Sequence, residues 1–535
     1  MPEQTAIVFP AGRDRHGQAI ETRINFRDLN ALCDRYAHGL TAYGLGRGDR
    51  VLMMLRPNID FIAVIFALMK MGAVPIIIDP GMGRPAFLQC VAETEPAAMI
   101  GIPLGHVLRK LFPKAFKTIS HYVTAGRRWF WGGTTLEKVR SNRPDPFQAA
   151  PTTVEDEAAV AFTSGSTGVP KGVVYLHGIF REQVRIMREE LDMAEREVHL
   201  AGLYIFALFN PALGITTVIP DFDPRAPAKL NPAYFVEAIQ SHGVTLSLGS
   251  PTIFKIVGDY CQAKDISLPS LKHVHMFGAA VPTRLIQQFS ELMPNGQVLT
   301  PFGATEALPI TCIGQADILA ETGALTEQGA GVCVGTPLGD ASLRVIRLTD
   351  AVIPTWDEGL VLPPGQIGEI VVKGSVVTQL YLNRPQKTAE AKIYEVDGSV
   401  WHRMGDLGYI DTKGRVWVCG RKSHRVETAD GLLLSIQAEA IFNQHPLVKR
   451  TALVGLGQYG HQKPVLVVEL ETGSKRASGA VRQQIIDELL ALGGQHDHTR
   501  PIQTILFHDA FPVDVRHNAK IQREKLAEWA AGQLG

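Results

Sequence analysis

The fold is decided by the stretch Ala158-Ala-Val-Ala-Phe162-Thr163-Ser164-Gly165-Ser166-Thr167-Gly168-Val-Pro-Lys171-Gly172. Its first five residues are apolar and short enough for a buried strand, and Val173-Val-Tyr175 predicts a second strand beyond it. Between the two strands, hydroxyl side chains and glycines lead to a lysine. Hydroxyls donate hydrogen bonds to phosphate oxygens, glycines let backbone N–H groups approach an anion, and lysine adds compact positive charge. The stretch therefore predicts a phosphate-binding loop.

The main alternative is a P-loop, in which the lysine is followed by Ser or Thr at the start of a helix. Here Gly172 follows Lys171, and the next residues predict a strand instead. We therefore expect a loop at the tip of a hairpin. A flexible Gly/Ser turn that binds nothing is the plainer alternative.

The composition is typical of a soluble globular protein in which neither charge sign dominates. Of the 535 residues, 45% are hydrophobic and 20% charged, and 53 basic residues balance 53 acidic ones. No overall electrostatic field favours nucleic acid or an anionic membrane as a partner, so we predict neither a nucleic-acid partner nor a transmembrane segment. The stretch Phe61–Asp79 is the most apolar, but Lys70, Gly72 and Pro75 interrupt it. It predicts a buried helix followed by a buried strand.

Six cysteines are scattered along the chain without the spacing of a zinc site or a disulfide framework. A reducing cytoplasm is the location that they predict. The first residues, Met1 to Thr5, lack the basic and then apolar order of a signal peptide.

The wider pattern alternates short apolar runs with longer helical segments, which predicts an α/β protein. The stretch from Gly408 to Val418 predicts a hairpin whose turn is Asp411-Thr-Lys-Gly414, and Gly420-Arg421-Lys422-Ser423 is a polar junction before a new α/β pattern. We therefore expect a large N-terminal domain of mixed sheets and helices, residues 1–420, and a small mobile α+β domain, residues 421–535.

Further motifs follow the loop in a fixed order, and the set resembles the superfamily of adenylate-forming enzymes, which includes acyl-CoA synthetases, luciferases and peptide-synthetase adenylation domains. The matching segments are Gly278-Ala279-Ala280-Val-Pro282, Phe302-Gly303-Ala304-Thr305-Glu306, Gly405-Asp406-Leu-Gly408-Tyr409, Gly420-Arg421 and Phe511-Pro512 through Lys520. Ala519 stands where the superfamily has glycine before its lysine, and Ser423 stands where many members have an Asp or Lys hinge.

The resemblance implies a role for each matched residue in binding ATP. Thr163, Ser164, Gly165, Ser166, Thr167, Gly168 and Lys171 would hold the β- and γ-phosphates, and Gly278, Ala279, Ala280, Phe302 and Gly303 would surround the adenine. Thr305 would bond the α-phosphate, and Glu306 would be the oxygen ligand of Mg²⁺. A solvent-exposed acid is the plainer interpretation of Glu306 taken alone.

The remaining two motifs would complete the site. Asp406 would accept hydrogen bonds from the ribose hydroxyls, with a turn aspartate as the alternative, and Arg421 would close the large domain. Lys520 would be the catalytic lysine, which stabilises charge as pyrophosphate leaves; taken alone it would be a solvated lysine.

Several longer strings, among them Phe206 to Gly214 and Gly420 to Thr428, resemble the β-lactone synthetases of bacterial long-chain olefin biosynthesis. That resemblance implies adenylation of a long-chain 2-alkyl-3-hydroxy fatty acid, followed by attack of its own 3-hydroxyl to close a β-lactone. It also implies possible partners in an olefin-biosynthesis complex. Phe206 and Phe209 would line the acyl pocket, although aromatic residues at this spacing more often belong to ordinary core.

Two alternatives remain open: a long-chain acyl-CoA synthetase or acyl-AMP ligase, and a non-catalytic nucleotide-binding protein. His402, His424 and His517 are candidates for the base that would deprotonate the 3-hydroxyl, and no spacing distinguishes among them.

Overall fold

The structure is a computed structural model that describes residues 1–162, 170–223, 226–471, 473, 478–513 and 521–535. Strands in these ranges are β1 Thr5–Arg13, β2 Ala19–Asn25, β3 Arg50–Met54, β4 Val74–Ile77, β5 Ala98–Gly101, β6 His121–Thr124, β7 Thr134–Thr135, β8 Glu157–Phe162, β9 Gly172–Leu176, β10 Val198–Ala201, β11 Thr216–Val218, β12 Leu246–Gly249, β13 His273–Met276, β14 Gln297–Ala304, β15 Ala307–Gly314, β16 Val332–Pro337, β17 Ser342–Ile346, β18 Gly368–Lys373, β19 Lys392–Tyr394, β20 Val400–Ile410, β21 Val416–Arg421, β22 Val426–Thr428, β23 Gly431–Leu433, β24 Val448–Leu456, β25 Lys463–Leu470 and β26 Thr504–Phe507.

The α-helices of the same ranges are α1 Phe26–Ala42, α2 Ile59–Met71, α3 Arg84–Thr94, α4 Pro103–Leu111, α5 Leu136–Val139, α6 His177–Glu189, α7 Asn210–Leu213, α8 Pro232–His242, α9 Pro251–Lys264, α10 Thr283–Leu292, α11 Gln315–Asp317, α12 Gly323–Glu327, α13 Pro385–Ala391, α14 Ser435–Phe442, α15 Gly479–Gly493 and α16 Arg523–Leu534. The mixed α/β class predicted from the alternating pattern is confirmed.

A seven-stranded sheet carries the predicted phosphate loop. Its strand order is β7-β6-β5-β3-β4-β8-β9, and every neighbouring pair is parallel except β8 with β9. The parallel strands are buried on both faces, which accounts for their short and almost wholly apolar sequences. Because they are parallel, the loops that follow β6 and β8 leave from the same edge of the sheet.

The larger sheet follows the order β17-β18-β20-β21-β16-β15-β14-β13-β12-β10-β11-β1-β2, with β19 paired beside β20. Strands β10 to β14 are parallel to their neighbours, and β14 then turns back antiparallel into β15. The predicted hairpin at Gly408–Gly414 is confirmed, since β20 and β21 pair antiparallel on either side of a turn in which the Gly414 N–H donates to Asp411 O.

The apolar stretch Phe61–Asp79 folds as predicted. Helix α2 is followed by the buried strand β4, and Gly72 ends the helix in the left-handed conformation with φ +70°. No helix in the described ranges has both the length and the apolar character needed to cross a membrane.

The chain beyond Arg421 has a sheet and cores of its own. Strand β24 pairs antiparallel with β25, which pairs parallel with β26. Helices α14 and α15 pack on one face of this sheet, and α16 packs on the other. The predicted strands at Thr451–Gly455 and Val465–Leu470 and the predicted helix near Gly479–Leu492 are all found, with ends that differ by a few residues.

Candidate active site

The predicted phosphate loop lies between two antiparallel strands. Phe162 at the end of β8 pairs with Gly172 at the start of β9, so the expected hairpin is confirmed. The predicted phosphate ligands Thr163, Ser164, Gly165, Ser166, Thr167 and Gly168 lie outside the described residues. Lys171 is described. Its Nζ lies 3.3 Å from the Tyr381 hydroxyl oxygen and 4.3 Å from the centre of the Tyr381 ring.

Thr305 and Glu306 form the turn of the β14–β15 hairpin. Ala304 pairs with Ala307 across the strands, so the two predicted catalytic residues are the only residues between them. The Tyr175 hydroxyl, on β9, donates a 2.5 Å hydrogen bond to Thr305 O. This contact joins the turn to the strand that begins directly after Lys171.

Glu306 has a second tyrosine as its partner. The Glu306 residue is 9% exposed, and Oε1 accepts a 2.5 Å hydrogen bond from the Tyr381 hydroxyl. Burial and the Glu306 charge together raise the pKa of Tyr381, which keeps the phenol protonated and donating. Burial lowers the pKa of Lys171, while the Glu306 carboxylate acts in the opposite direction. Lys171, Tyr381 and Glu306 thus form one charged cluster.

A single carboxylate in this position fits what Mg²⁺ requires from a protein. Magnesium usually keeps several waters and takes one or two carboxylates together with substrate phosphate oxygens. Glu306 provides a hard oxygen donor on the turn, in the same charged cluster as the lysine that ends the predicted phosphate loop. Its surroundings therefore fit a magnesium ion.

Residues 376–382, called the crosspiece from here on, connect the turn to the phosphate loop. The Thr378 N–H and hydroxyl both donate to Glu306 O, at 2.9 and 3.0 Å. At the other end, Tyr381 forms a bridge with Val173, and the Leu382 N–H donates to Gly172 O at 2.8 Å. The crosspiece therefore fixes the distance between the two sheets at the site.

Lys392 lies behind the crosspiece, and sequence reasoning missed it. The residue is only 1% exposed, and its ammonium donates a hydrogen bond to Thr378 O. Burial lowers the pKa of Lys392 to about 7, and the nearby Lys171 adds to that effect while Glu306 opposes it. No motif surrounds Lys392, so only the tertiary structure identifies it as a support for the crosspiece.

Asp406 and Arg421 face each other on neighbouring strands. They are paired residues of β20 and β21, and Arg421 Nη1 lies 3.1 Å from Asp406 Oδ2. The same guanidinium donates to Met404 O at 3.1 Å. The charge of Arg421 also contributes to the lowered pKa of Lys171, so the pair belongs to the electrostatic surroundings of the cluster.

Gly278, Ala279 and Ala280 form an open turn directly after β13, with Gly278 at φ +90°. Phe302 and Gly303 lie near the end of β14, and Phe302 is half-buried. Because β13 and β14 are parallel neighbours in the large sheet, the turn after β13 and the end of β14 lie at the same edge.

Phe206 and Phe209 belong to an aromatic cluster beside that edge. The Phe206 ring meets Phe277 edge to face at 4.8 Å, and Phe209 meets Phe180 at 6.0 Å. Below them, the fully buried Asn210 amide donates to the Thr217 hydroxyl at 2.8 Å and also contacts His199. Phe206 and Phe209 are partly buried, so they retain surface that a ligand can contact.

The candidate bases fall in different places. His402 is buried, with Nδ1 3.2 Å from Ala391 O, and burial holds its pKa well below the ordinary value. His424 faces Glu524 of α16 at 3.5 Å. His517 and the predicted catalytic residue Lys520 lie outside the described residues.

In the junction after β21, residues on both sides of the exposed Ser423 form ion pairs. Lys422 contacts Glu369 at 3.1 Å and Asp350 at 3.5 Å, and Arg425 contacts Asp350 at 2.6 Å. Asp350 therefore contacts the residues on both sides of Ser423.

Comparison with known proteins places this arrangement in a family. A model of the AMP-binding enzymes matches residues 1–382. Two curated relatives named olefin beta-lactone synthetase align almost end to end: the protein of Xanthomonas campestris pv. campestris is 46% identical over 99% of this chain and 95% of its own length, and that of Stenotrophomonas maltophilia is 45% identical over 100% and 96%.

Among solved structures, the crystal structure of ATP-bound MatB from Rhodopseudomonas palustris superposes with a TM-score of 0.79 at 21% identity, covering 100% of this chain and 97% of that one. The shared fold, the matched family model and the full-length relatives agree, and this chain belongs to the family of AMP-binding enzymes.

Proposed function

We propose that this enzyme converts a long-chain 2-alkyl-3-hydroxy acid into a β-lactone, with ATP cleaved to AMP and pyrophosphate. The observation that carries the proposal is end-to-end similarity, at 45–46% identity, to two proteins named olefin beta-lactone synthetase. The cluster of Lys171, Tyr381 and Glu306 supports it, because phosphate transfer chemistry needs positive charge and a carboxylate side by side.

The first half-reaction forms the acyl adenylate. A carboxylate oxygen of the substrate attacks the α-phosphorus, the bond from that phosphorus to pyrophosphate breaks, and pyrophosphate leaves with the electron pair. Lys171 and the loop from Thr163 to Gly168 hold the β- and γ-phosphates, Thr305 bonds the α-phosphate, and Lys520 stabilises the charge that develops. Mg²⁺ held by Glu306 would neutralise phosphate charge when bound.

The nucleoside is held at the edge of the large sheet. Phe302 and Gly303 lie against the adenine together with the open turn of Gly278, Ala279 and Ala280, whose small side chains leave room for a flat base. Asp406 accepts hydrogen bonds from the ribose hydroxyls. Its pairing with Arg421 supports this assignment, since the guanidinium orients the carboxylate.

The second half-reaction is intramolecular. The oxygen of the substrate's 3-hydroxyl attacks the acyl carbon, the hydroxyl proton is released to solvent, and the bond from the acyl carbon to AMP breaks, with AMP leaving with the electron pair. Four-membered ring closure is strained, so the enzyme must hold the hydroxyl close to the acyl carbon. Phe206 and Phe209 suit this task, because their half-buried rings offer an apolar wall for an alkyl chain.

We place the domain boundary between residues 420 and 421, with Lys520 on a small C-terminal domain that rotates between the two half-reactions. The separate cores beyond Val426 support a unit that folds around its own sheet. Strand β21 ends at Arg421, one residue beyond the proposed boundary, which supports a junction at this end of the strand.

The proposal extends to the compartment and the partners of the enzyme. The six cysteines are all unpaired thiols, which supports a reducing compartment such as the cytoplasm. Other enzymes of olefin biosynthesis, which would supply the hydroxy acid or consume the lactone, are the partners expected for such a reaction.

The decisive experiment incubates the enzyme with a synthetic 2-alkyl-3-hydroxy acid, ATP and Mg²⁺, with and without coenzyme A. We expect AMP and a lactone, identified by mass spectrometry, in equal amounts in both reactions. Product that forms only with coenzyme A, as an acyl thioester, would replace the proposal with an acyl-CoA synthetase.

A matched pair of variants connects the activity to the site. Glu306→Gln should lower pyrophosphate release by about 100-fold and raise the Mg²⁺ concentration needed for half-maximal rate. Glu321→Gln, a surface carboxylate paired with Arg415 at 2.9 Å, should leave both values unchanged. Equal behaviour of the two variants would remove Glu306 from the proposed machinery.

A further inference from the structure

Two linked segments beside the seven-stranded sheet carry exposed apolar side chains. Leu104 and Leu111 of α4 are 72% and 68% exposed, and Trp129 and Phe130 of the loop after β6 are 53% and 82% exposed. Large side chains with this exposure, grouped on neighbouring segments, are typical of a surface that binds another apolar phase or molecule. The same stretch of chain carries five exposed basic residues: Lys110, Lys114, Lys117, Arg127 and Arg128. We call the four apolar and five basic residues together the basic-aromatic patch.

The loop and the helix of the patch are held together by Trp131. Its indole is 2% exposed, stacks on His106 of α4 at 5.5 Å, and donates from Nε1 to the Thr124 hydroxyl at 3.0 Å. Arg109, also on α4, donates to Trp131 O at 2.7 Å. Because Trp131 is fixed, the preceding Trp129 and Phe130 are presented outward on an anchored loop.

The charge of this segment is of one sign. From Pro96 to Leu136 the chain has no Asp or Glu, although the whole protein is neutral. The exposed basic side chains in this segment are Lys110, Lys114, Lys117, Arg127 and Arg128. The segment is therefore locally cationic although the net charge of the whole chain is zero.

We propose that the basic-aromatic patch docks on the surface of an anionic phospholipid bilayer. Trp and Phe side chains insert at the level of the headgroups, leucines reach the acyl chains, and Lys and Arg meet anionic headgroups. Nucleic acid would match the charge but offers nothing to the exposed leucines. A second copy of the chain would bring like charges together across a symmetric contact.

The position of the patch relates it to the nucleotide. The loop after β6 leaves the same edge of the sheet as the loop after β8, and four strand spacings separate β6 from β8. At about 4.8 Å per spacing, the ends of β6 and β8 are about 19 Å apart along the sheet. If the substrate is the proposed long-chain acid, a docked enzyme holds the end of β8, where the predicted phosphate loop begins, close to the phase in which such an acid dissolves.

The test is co-sedimentation with vesicles in the absence of ATP and acid, so that its result does not depend on the proposed reaction. We expect the protein to bind vesicles of phosphatidylcholine mixed with phosphatidylglycerol at least about tenfold more strongly than vesicles of phosphatidylcholine alone, and to be released by added salt. Equal binding to both kinds of vesicle would overturn the proposal.

Two double variants test the basic and the aromatic residues of the patch separately. R127E/R128E and W129S/F130S should each weaken binding to the mixed vesicles by about tenfold or more. The matched controls R344E/R347E and V396S change exposed residues elsewhere and should bind as the wild type does. An equal loss in the controls, or full binding by either patch variant, would overturn the proposal.

Two further measurements distinguish docking from catalysis and from self-association. Lactone formation from dispersed acid without vesicles should be unchanged in the patch variants, so failure of the proposed reaction would not be confused with failure to dock. A change of oligomeric state in the patch variants with vesicle binding intact would assign the surface to a contact between copies, against our proposal.

Discussion

At the scale of single residues, Lys392 has the most unusual surroundings in the described site, because an ammonium group is enclosed behind the crosspiece. In the unfolded chain its pKa is near the ordinary value of about 10.4, whereas burial lowers it to about 7 in the folded protein. Between these values the unfolded state holds a proton that the folded state lacks. This residue therefore makes the protein more stable as pH rises from about 7 toward about 10.

Replacing Lys392 by Met should remove that dependence. Relative to Lys392→Met, the wild type should gain on the order of 2 kcal/mol of unfolding free energy between pH 7 and pH 9. Urea unfolding of both proteins at a series of pH values measures the difference. Parallel pH profiles for the two proteins would show that Lys392 keeps an ordinary pKa in the fold.

The Tyr381 hydroxyl lies between Lys171 and Glu306, at 3.3 and 2.5 Å. Tyr381→Phe should reduce kcat/KM for ATP by about tenfold, a loss typical of one hydrogen bond to a charged group. A double-mutant cycle with Lys171→Met should show a coupling free energy above about 0.5 kcal/mol, because the two groups are in contact. Additive effects of the two changes would contradict the cluster of Lys171, Tyr381 and Glu306.

At the scale of elements, the β14–β15 hairpin presents Thr305 and Glu306, and Gly303 shapes its tip. A Cβ at Gly303 would lie 2.6 Å from Ala307 O and 2.8 Å from Leu308 Cβ, so Gly303→Ala must displace the turn. We expect pyrophosphate release to fall by about tenfold or more, since misplaced catalytic groups are costly.

Gly314 at the opposite end of the hairpin is the matched control. A Cβ there meets its nearest neighbour, Leu299 Cδ2, at 3.6 Å, which is an ordinary contact. Gly314→Ala should retain wild-type activity, and circular dichroism should be the same for both variants. Comparable losses of activity in the two variants would show that the hairpin as a whole, rather than its tip, is sensitive.

The elements themselves were largely predictable from sequence, because their signals are local. The hairpin around the phosphate loop and the one around Gly414 follow from apolar runs separated by turn residues. The distant residues that support the Glu306 turn were not predictable. Tyr381 and Lys392 lie 75 or more residues away in the chain, and their role depends on contacts that only the assembled sheets create.

At the scale of the whole molecule, the junction at Ser423 separates the large sheet from the C-terminal cores. Asp350 contacts both Lys422 and Arg425, so Asp350→Ala should loosen the junction on both sides. We expect backbone hydrogen exchange of residues 421–428 to become up to about fivefold faster. The effect is small because exposed ion pairs contribute little to stability. Asp397→Ala, on a distant surface turn, should leave that segment unchanged.

The surroundings of the proposed domain boundary were only partly accessible from sequence. A polar junction followed by a new α/β pattern predicts the boundary, but nothing local predicts that Asp350 contacts Lys422 and Arg425 there. That contact spans 75 residues between Asp350 and Arg425, and it arises because β18, β20 and β21 bring the two segments together.

The crosspiece also has an evolutionary consequence. It is anchored at Glu306 O by Thr378 and at Gly172 O by Leu382, with only three residues between the anchors. Gaining or losing one residue there would shift every later contact by one position and separate the lysine of one sheet from the carboxylate of the other. Descendants of this chain are therefore expected to keep the length of residues 376–382 constant even where their side chains diverge.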